Sequence, residues 1–95
     1  MFIVKLTYVK SLDEVEKHFE DHAKFLDEYY EQDKFIVSGR LNPRTGGIIF
    51  MKVGTREEVL RIIEDDPFHK FGVADYEIIE FLPTKHHKQF SSFVD

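Results

Sequence analysis

Two residues in this 95-residue chain carry the clearest chemical signal, His22 and Asp66. His22 lies between Phe19 and Leu26, in a stretch where apolar side chains recur at Leu12, Val15, Phe19, Leu26 and Tyr29. Steps of three, four and seven mark one face of an amphipathic helix, and position 22 completes that face. A histidine gains and loses a proton near neutral pH. Aimed inward, it is either a hydrogen-bonded packing residue or a proton-transfer group. In both cases it needs a partner, because an unpaired buried polar group costs on the order of 1–3 kcal/mol. Asp66 is the natural one. It stands where a helix must break ahead of Pro67, with Phe68 beyond it. A carboxylate against one imidazole nitrogen fixes the tautomer and makes the other nitrogen a better base. The plain alternative for Asp66 is N-capping of the turn that follows.

Other constellations are weaker. Gly39 sits inside a strand-like run between Ser38 and Arg40, where glycine marks either a bulge or a close approach by a ligand. Arg40 can hold an anion through a two-pronged contact, or can face solvent. His18 and His22 are spaced like two metal ligands on a helix. The inverted zinc-protease pattern, however, needs Glu where Asp21 stands, and a third ligand downstream. His69, His86 and His87 have no carboxylate or Cys at a supporting spacing, so no metal site is predicted. Gly46-Gly47 lacks the phosphate-loop patterns and reads as a hairpin turn. No serine elbow and no cofactor motif is present, and the expectation is a protein that works without a cofactor.

The elements that must position these residues follow from patterning. Phe2–Val9 alternates as a strand, with Phe2, Val4, Leu6 and Tyr8 on one face. Ser11 with Glu14 is a capping box that opens a helix from Leu12 to about Glu31. Phe35–Leu41 and Ile48–Val53 are strands joined by the turn 42–47, and the apolar run of the second predicts burial on both faces. Thr55 with Glu58 opens a helix through Val59, Leu60, Ile62 and Ile63. Asp66, Pro67 and Gly72 frame a single helical turn. Val73–Leu82 is the last strand, and residues 83–95 form a tail rich in His, Lys and Phe, free to pack on a partner subunit. The order βαββαβ predicts a ferredoxin-like α+β fold: a four-stranded antiparallel sheet with both helices on one face. The other face has no helix left to cover it, and a second copy of the chain is expected there.

Composition bounds the rest. Ninety-five residues make one domain, here 1–95 with its core about 2–82. A chain of this size buries about 60–65% of its unfolded surface, so modest stability and a homodimer or higher homo-oligomer are expected. A net charge of −5 argues against nucleic acid as a partner. No apolar run approaches membrane-spanning length. Phe2-Ile3-Val4 is interrupted too soon by Lys5 to form an export signal, which points to the cytoplasm. Zero Cys removes disulfides and a cysteine nucleophile together.

Taken in order, His22, Ser38-Gly39-Arg40, Gly46-Gly47 and Asp66-Pro67-Phe68 resemble the YciI-like (YCII-related) family over about residues 2–85. That resemblance implies a dimeric α+β barrel, similar in plan to muconolactone isomerases and small antibiotic-biosynthesis monooxygenases. It implies a His–Asp pair in a cleft, which falls on His22 and Asp66. It also implies a relative class with dehydrochlorinase activity on a hydroxylated aromatic. Many members carry Pro after the strand glycine, where this chain has Arg40. The expectation is a lyase, isomerase or dehydrochlorinase-like enzyme acting on a small aromatic or anionic substrate. His22 would move the proton and Asp66 would orient it, with Ser38, Gly39, Arg40 and Phe68 lining the cleft. The alternative is a ligand-binding or accessory dimer in which His22–Asp66 is a structural hydrogen bond.

Overall fold

Alternation in the first strand sets the architecture. In β1 (Phe2–Tyr8), Phe2, Val4 and Leu6 are buried while Lys5 and Thr7 face solvent. A computed structural model describes residues 1–94; Asp95 of the predicted tail lies outside the described residues. The elements then run α1 (Leu12–Lys17), α2 (Phe19–Glu31), β2 (Phe35–Arg40), β3 (Gly46–Met51), α3 (Arg56–Glu64), α4 (Pro67–Lys70) and β4 (Ala74–Glu80), followed by a 3₁₀ turn at Lys88–Phe93. The four strands form one antiparallel sheet in the order β2-β3-β1-β4, the ferredoxin-like arrangement. No helix is long and apolar enough to cross a membrane.

The core lies between one sheet face and the helices. Phe2, Val4 and Leu6 meet Ile49 and Met51 of β3, and Val15, Phe25, Tyr29, Val59, Ile62 and Phe68 come from the helices. Caps fall at the expected places, with the Glu14 N–H donating to Ser11 Oγ and the Glu58 N–H to Thr55 Oγ1. Gly72, at φ +64, ends α4 in the left-handed region that glycine tolerates.

Three local expectations are corrected. The long helix is interrupted at His18, whose φ of −111 and ψ of 4 leave helical geometry. Its N–H bonds back three residues to Val15 O at 3.1 Å, and its ring stacks on Phe71 at 4.1 Å. The buried stripe is therefore Val15, His22, Phe25 and Tyr29, while Leu12 and Phe19 are exposed. On α3, Leu60 is likewise exposed.

The strand irregularity falls at Ile36 and not at Gly39, which pairs in register with Ile48. Phe35 and Ser38 both face the helices opposite Met51 and Ile49. Those positions are three apart on β2 and two apart on β3, so one extra residue must bulge out between them. On β3 itself, burial on both faces is only partial. Ile49 and Met51 are buried, whereas Ile48 and Phe50 are half-buried on the face without helices. Ile3, Val37 and Ile79 share that second face. The tail turns back on its own chain, where Lys52 Nζ donates to Ser92 O at 3.4 Å.

Candidate functional site

The pair singled out by residue type meets. His22 is buried at 8% exposure on α2 and Asp66 is fully buried at the break between α3 and α4. Their Nδ1 and Oδ1 atoms are 2.7 Å apart. Pro67 enforces the break, because the residue before a proline is pushed out of helical geometry, and Asp66 adopts φ −74, ψ 123. Oδ1 also accepts the Phe68 N–H at 3.0 Å. The capping reading and the histidine-partner reading of Asp66 thus hold together.

A third donor comes from β4: Tyr76 donates its hydroxyl to Asp66 Oδ2 at 2.5 Å. Burial first, and then the Asp66 charge and hydrogen bond, push the Tyr76 phenol far above its ordinary range. It remains a neutral donor. Tyr76 was not found by sequence reasoning. The signal available was a tyrosine opposite Leu6, on the inward face of the last strand.

Asp66 fixes His22 in chemistry as well as in space. With Nδ1 bonded to the carboxylate, Nε2 is the ring nitrogen left to act, and it has no hydrogen-bond partner among the described residues. The ring lies flat on Phe68, with centroids 4.0 Å apart and planes 4° from parallel. One face of the imidazole is therefore covered, and His22 is one of the residues that line a cleft of about 200 Å³.

That cleft lies between α2 and the inner sheet face. Ser38, Gly39, Arg40 and Phe68 all line it together with His22. Ser38 Oγ is 2.7 Å from the Tyr30 hydroxyl. Arg40 is exposed at the rim. Asp66 stands behind His22 and does not line the cleft. Gly46 and Gly47 contribute backbone to it, and each is glycine for a steric reason. A Cβ on Gly46 would fall 1.8 Å from Leu6 O, and one on Gly47 would fall 2.9 Å from Gly39 O. Leu6, Tyr8 and Phe19 complete a largely apolar wall. The combination is a concave apolar site with a few convergent polar groups, as small-molecule sites are.

A larger hollow of about 390 Å³ lies between the end of α2 and α3. Only some of its charged groups are paired. Lys34 pairs with Glu58 at 3.0 Å, and Tyr29 donates to Asp65. Burial and the Asp65 carboxylate push the Tyr29 phenol up to about 12. Arg61 and Glu64 also line it, without an ion-pair partner among the described residues, and it holds no histidine. Among the described residues, no three His, Cys, Asp or Glu stand close enough to hold a metal ion.

Comparison with known proteins places this geometry in a family. The YCII-related domain matches residues 1–82. No curated protein matches the chain. Among solved structures, the fold resembles 5-chloro-2-hydroxyhydroquinone dehydrochlorinase (TftG) from Burkholderia phenoliruptrix, in complex with 2,5-dihydroxybenzoquinone. The TM-score is 0.73 at 22% identity, over 94% of this chain and 98% of that one. At that identity the likeness is one of fold. With a matched region that spans the whole sheet, all four helices and both members of the buried His–Asp pair, this chain belongs to the YCII-related domain family.

Proposed function

We propose that the chain is a cofactor-independent enzyme that performs general acid/base chemistry on a small aromatic or anionic substrate in the cleft beside His22. The observation that carries this reading is the histidine itself. One nitrogen is committed to a fully buried carboxylate, one ring face is covered by Phe68, and the residue lines an apolar cleft. A packing histidine does not need a place in the lining of a cavity.

In this reading Nε2 of His22 takes a proton from a ring hydroxyl or an acidic carbon of the substrate. Asp66 stabilises the imidazolium that forms, and Tyr76 and the Phe68 N–H hold Asp66. The electron pair released by that proton expels a leaving group, or returns at a second carbon as the proton is given back. The first outcome is an elimination and the second an isomerisation, and neither needs an oxidant. Phe68, Ser38 and Arg40 would position the ring and its oxygens. The dehydrochlorinase fold neighbour, whose structure holds a dihydroxybenzoquinone, supports a ring of that size and polarity. We also propose that Ile3, Val37, Ile48, Phe50 and Ile79 meet the same face of a second copy.

The test is turnover of chlorinated and unchlorinated hydroxyhydroquinones, followed by absorbance and chloride release. Wild-type activity that falls on the order of 100-fold or more in His22→Gln supports the reading. Unchanged activity in that variant sinks it. One observation favours the non-catalytic alternative: Asp66 also caps α4, so it has a structural role whatever His22 does. On that alternative, His22→Gln loses stability but retains ligand.

A further inference from the structure

The extra residue at Ile36 changes which side chains of β2 face the helices. Phe35 is buried opposite Met51. Strict alternation from there would turn Val37 and Gly39 inward and leave Ser38 and Arg40 outside. With the bulge, Ser38 stands opposite Ile49, and Arg40 stands opposite Gly47, whose other neighbour is the buried Leu6. Val37 is instead 50% exposed. A bulge forfeits regular ladder pairing, and bulges beside functional sites serve to re-aim a side chain. Here a valine and a glycine are exchanged for a hydroxyl and a guanidinium, and both Ser38 and Arg40 line the cleft beside His22.

Ser38 is backed from α2. Its Oγ is 2.7 Å from the hydroxyl of Tyr30. The Tyr30 ring meets Phe35 edge to face, with centroids 5.8 Å apart and planes at 88°, so the phenol is anchored against the core. Two hydroxyls bring two protons, and one contact uses one of them. Neither oxygen has another partner among the described residues. A phenol is a stronger donor than an aliphatic alcohol, so the favoured sense is Tyr30 donating to Ser38. That leaves the Ser38 proton uncommitted, and Ser38 is the member of the pair that lines the cleft. A hydroxyl that accepts one hydrogen bond becomes a better donor in the next.

We propose that Ser38, backed by Tyr30, receives the substrate oxygen on which negative charge collects. When His22 takes a proton from the substrate, the electron pair left behind settles on a ring oxygen, and the Ser38 O–H donates to it. A preplaced donor of this kind stabilises charge as it develops. Ser38 is then a catalytic residue. Tyr30, which does not line the cleft, is a positioning residue. The inference rests on the reading that the cleft beside His22 binds the substrate. It narrows that substrate to hydroxylated rings that become phenolates or enolates in the reaction.

The probes are 2,5-dihydroxybenzoquinone, an acidic ring that is anionic at neutral pH and stands in for the charged species, and uncharged hydroquinone. Calorimetric titration of the full chain gives the ratio of the two affinities. Ser38→Ala should lower the preference for the anion about tenfold or more, the worth of a hydrogen bond to a charged group. Tyr30→Phe should lower it about two- to threefold, although that side chain touches neither probe. A merely structural Tyr30 would weaken both probes equally and leave the ratio unchanged. Ser38→Gly serves if the Ala variant does not fold, and it should show the same loss. A wild-type ratio in either Ser38 variant, as expected if Arg40 alone recognises the anion, or a wild-type ratio in Tyr30→Phe, overturns this inference and leaves the cleft reading standing. A wild type whose His22 ring resonances respond to neither probe overturns the cleft reading and this inference with it.

Discussion

Replacing Asp66 by Ala and by Asn separates the structural from the chemical role of the buried pair. The Asp66 carboxylate accepts three hydrogen bonds, from His22 Nδ1, the Phe68 N–H and the Tyr76 hydroxyl. Asp66→Ala leaves all three donors without an acceptor in a site that is fully buried. Each orphaned donor costs on the order of 1–3 kcal/mol, so a total of about 3–9 kcal/mol is expected, the lost cap of α4 being one of the three. Domains of this size have about 5–15 kcal/mol in all. The Ala variant should therefore be marginal. Asp66→Asn is isosteric. Its remaining oxygen can keep the Phe68 N–H and His22 Nδ1, and its amide can turn a donor toward the Tyr76 oxygen, for a loss of about 1–3 kcal/mol. Urea unfolding at pH 7 and one fixed protein concentration measures both. With a slope of about 2 kcal/mol per molar urea, the Ala midpoint should fall by about 1.5 M or more and the Asn midpoint by about 1 M. The Asn variant no longer offers a charge to a protonated His22, so its turnover should fall well beyond what its stability loss explains. An Ala variant as stable as wild type would refute the three-donor account. An Asn variant of full activity would refute the catalytic role of the pair.

Three further expectations follow from the geometry. Gly46→Ala should displace the hairpin from β1, because its Cβ would lie 1.8 Å from Leu6 O. A stability loss of about 1–3 kcal/mol is expected, and amide exchange at Tyr8 and Leu41 reports it. The raised phenol pKa of Tyr29 predicts alkaline instability with a definite sign. The unfolded chain loses this proton near pH 10 and the folded chain only near 12, so Tyr29 lowers stability as pH rises through that window and is neutral below it. Denaturation midpoints between pH 9 and 12 should fall less steeply in Tyr29→Phe, although not become flat, because Tyr76 is raised by the same kind of contact. Ile48→Lys puts a charge on the half-buried second face of the sheet, and light scattering should show the solution mass dropping to one chain; a mass unchanged from wild type would remove that face as an interface.

What could be read along the chain was what depends on near neighbours. The inward placement of His22 follows from helical periodicity, and the break at Asp66 follows from a proline constraint that acts on one preceding residue. The strand order follows from the alternation of elements, since an α+β chain of this pattern has few ways to bury one sheet face. The positions that local pattern misjudged are those where a distant contact overrides it. His18 leaves helical geometry as its ring stacks on Phe71, more than fifty positions away. The bulge sits at Ile36 because Phe35 and Ser38 must both face inward against a strand that allows only two residues there. Tyr76 gains its significance from a sheet register that leaves no mark within a few residues of it. The sequence by itself determined which residue types were available for proton transfer and the elements that carry them. The tertiary structure alone decided that Asp66 serves His22, Phe68 and Tyr76 together. The physical reason is that this outcome depends on angstrom-scale distances between elements far apart in the chain.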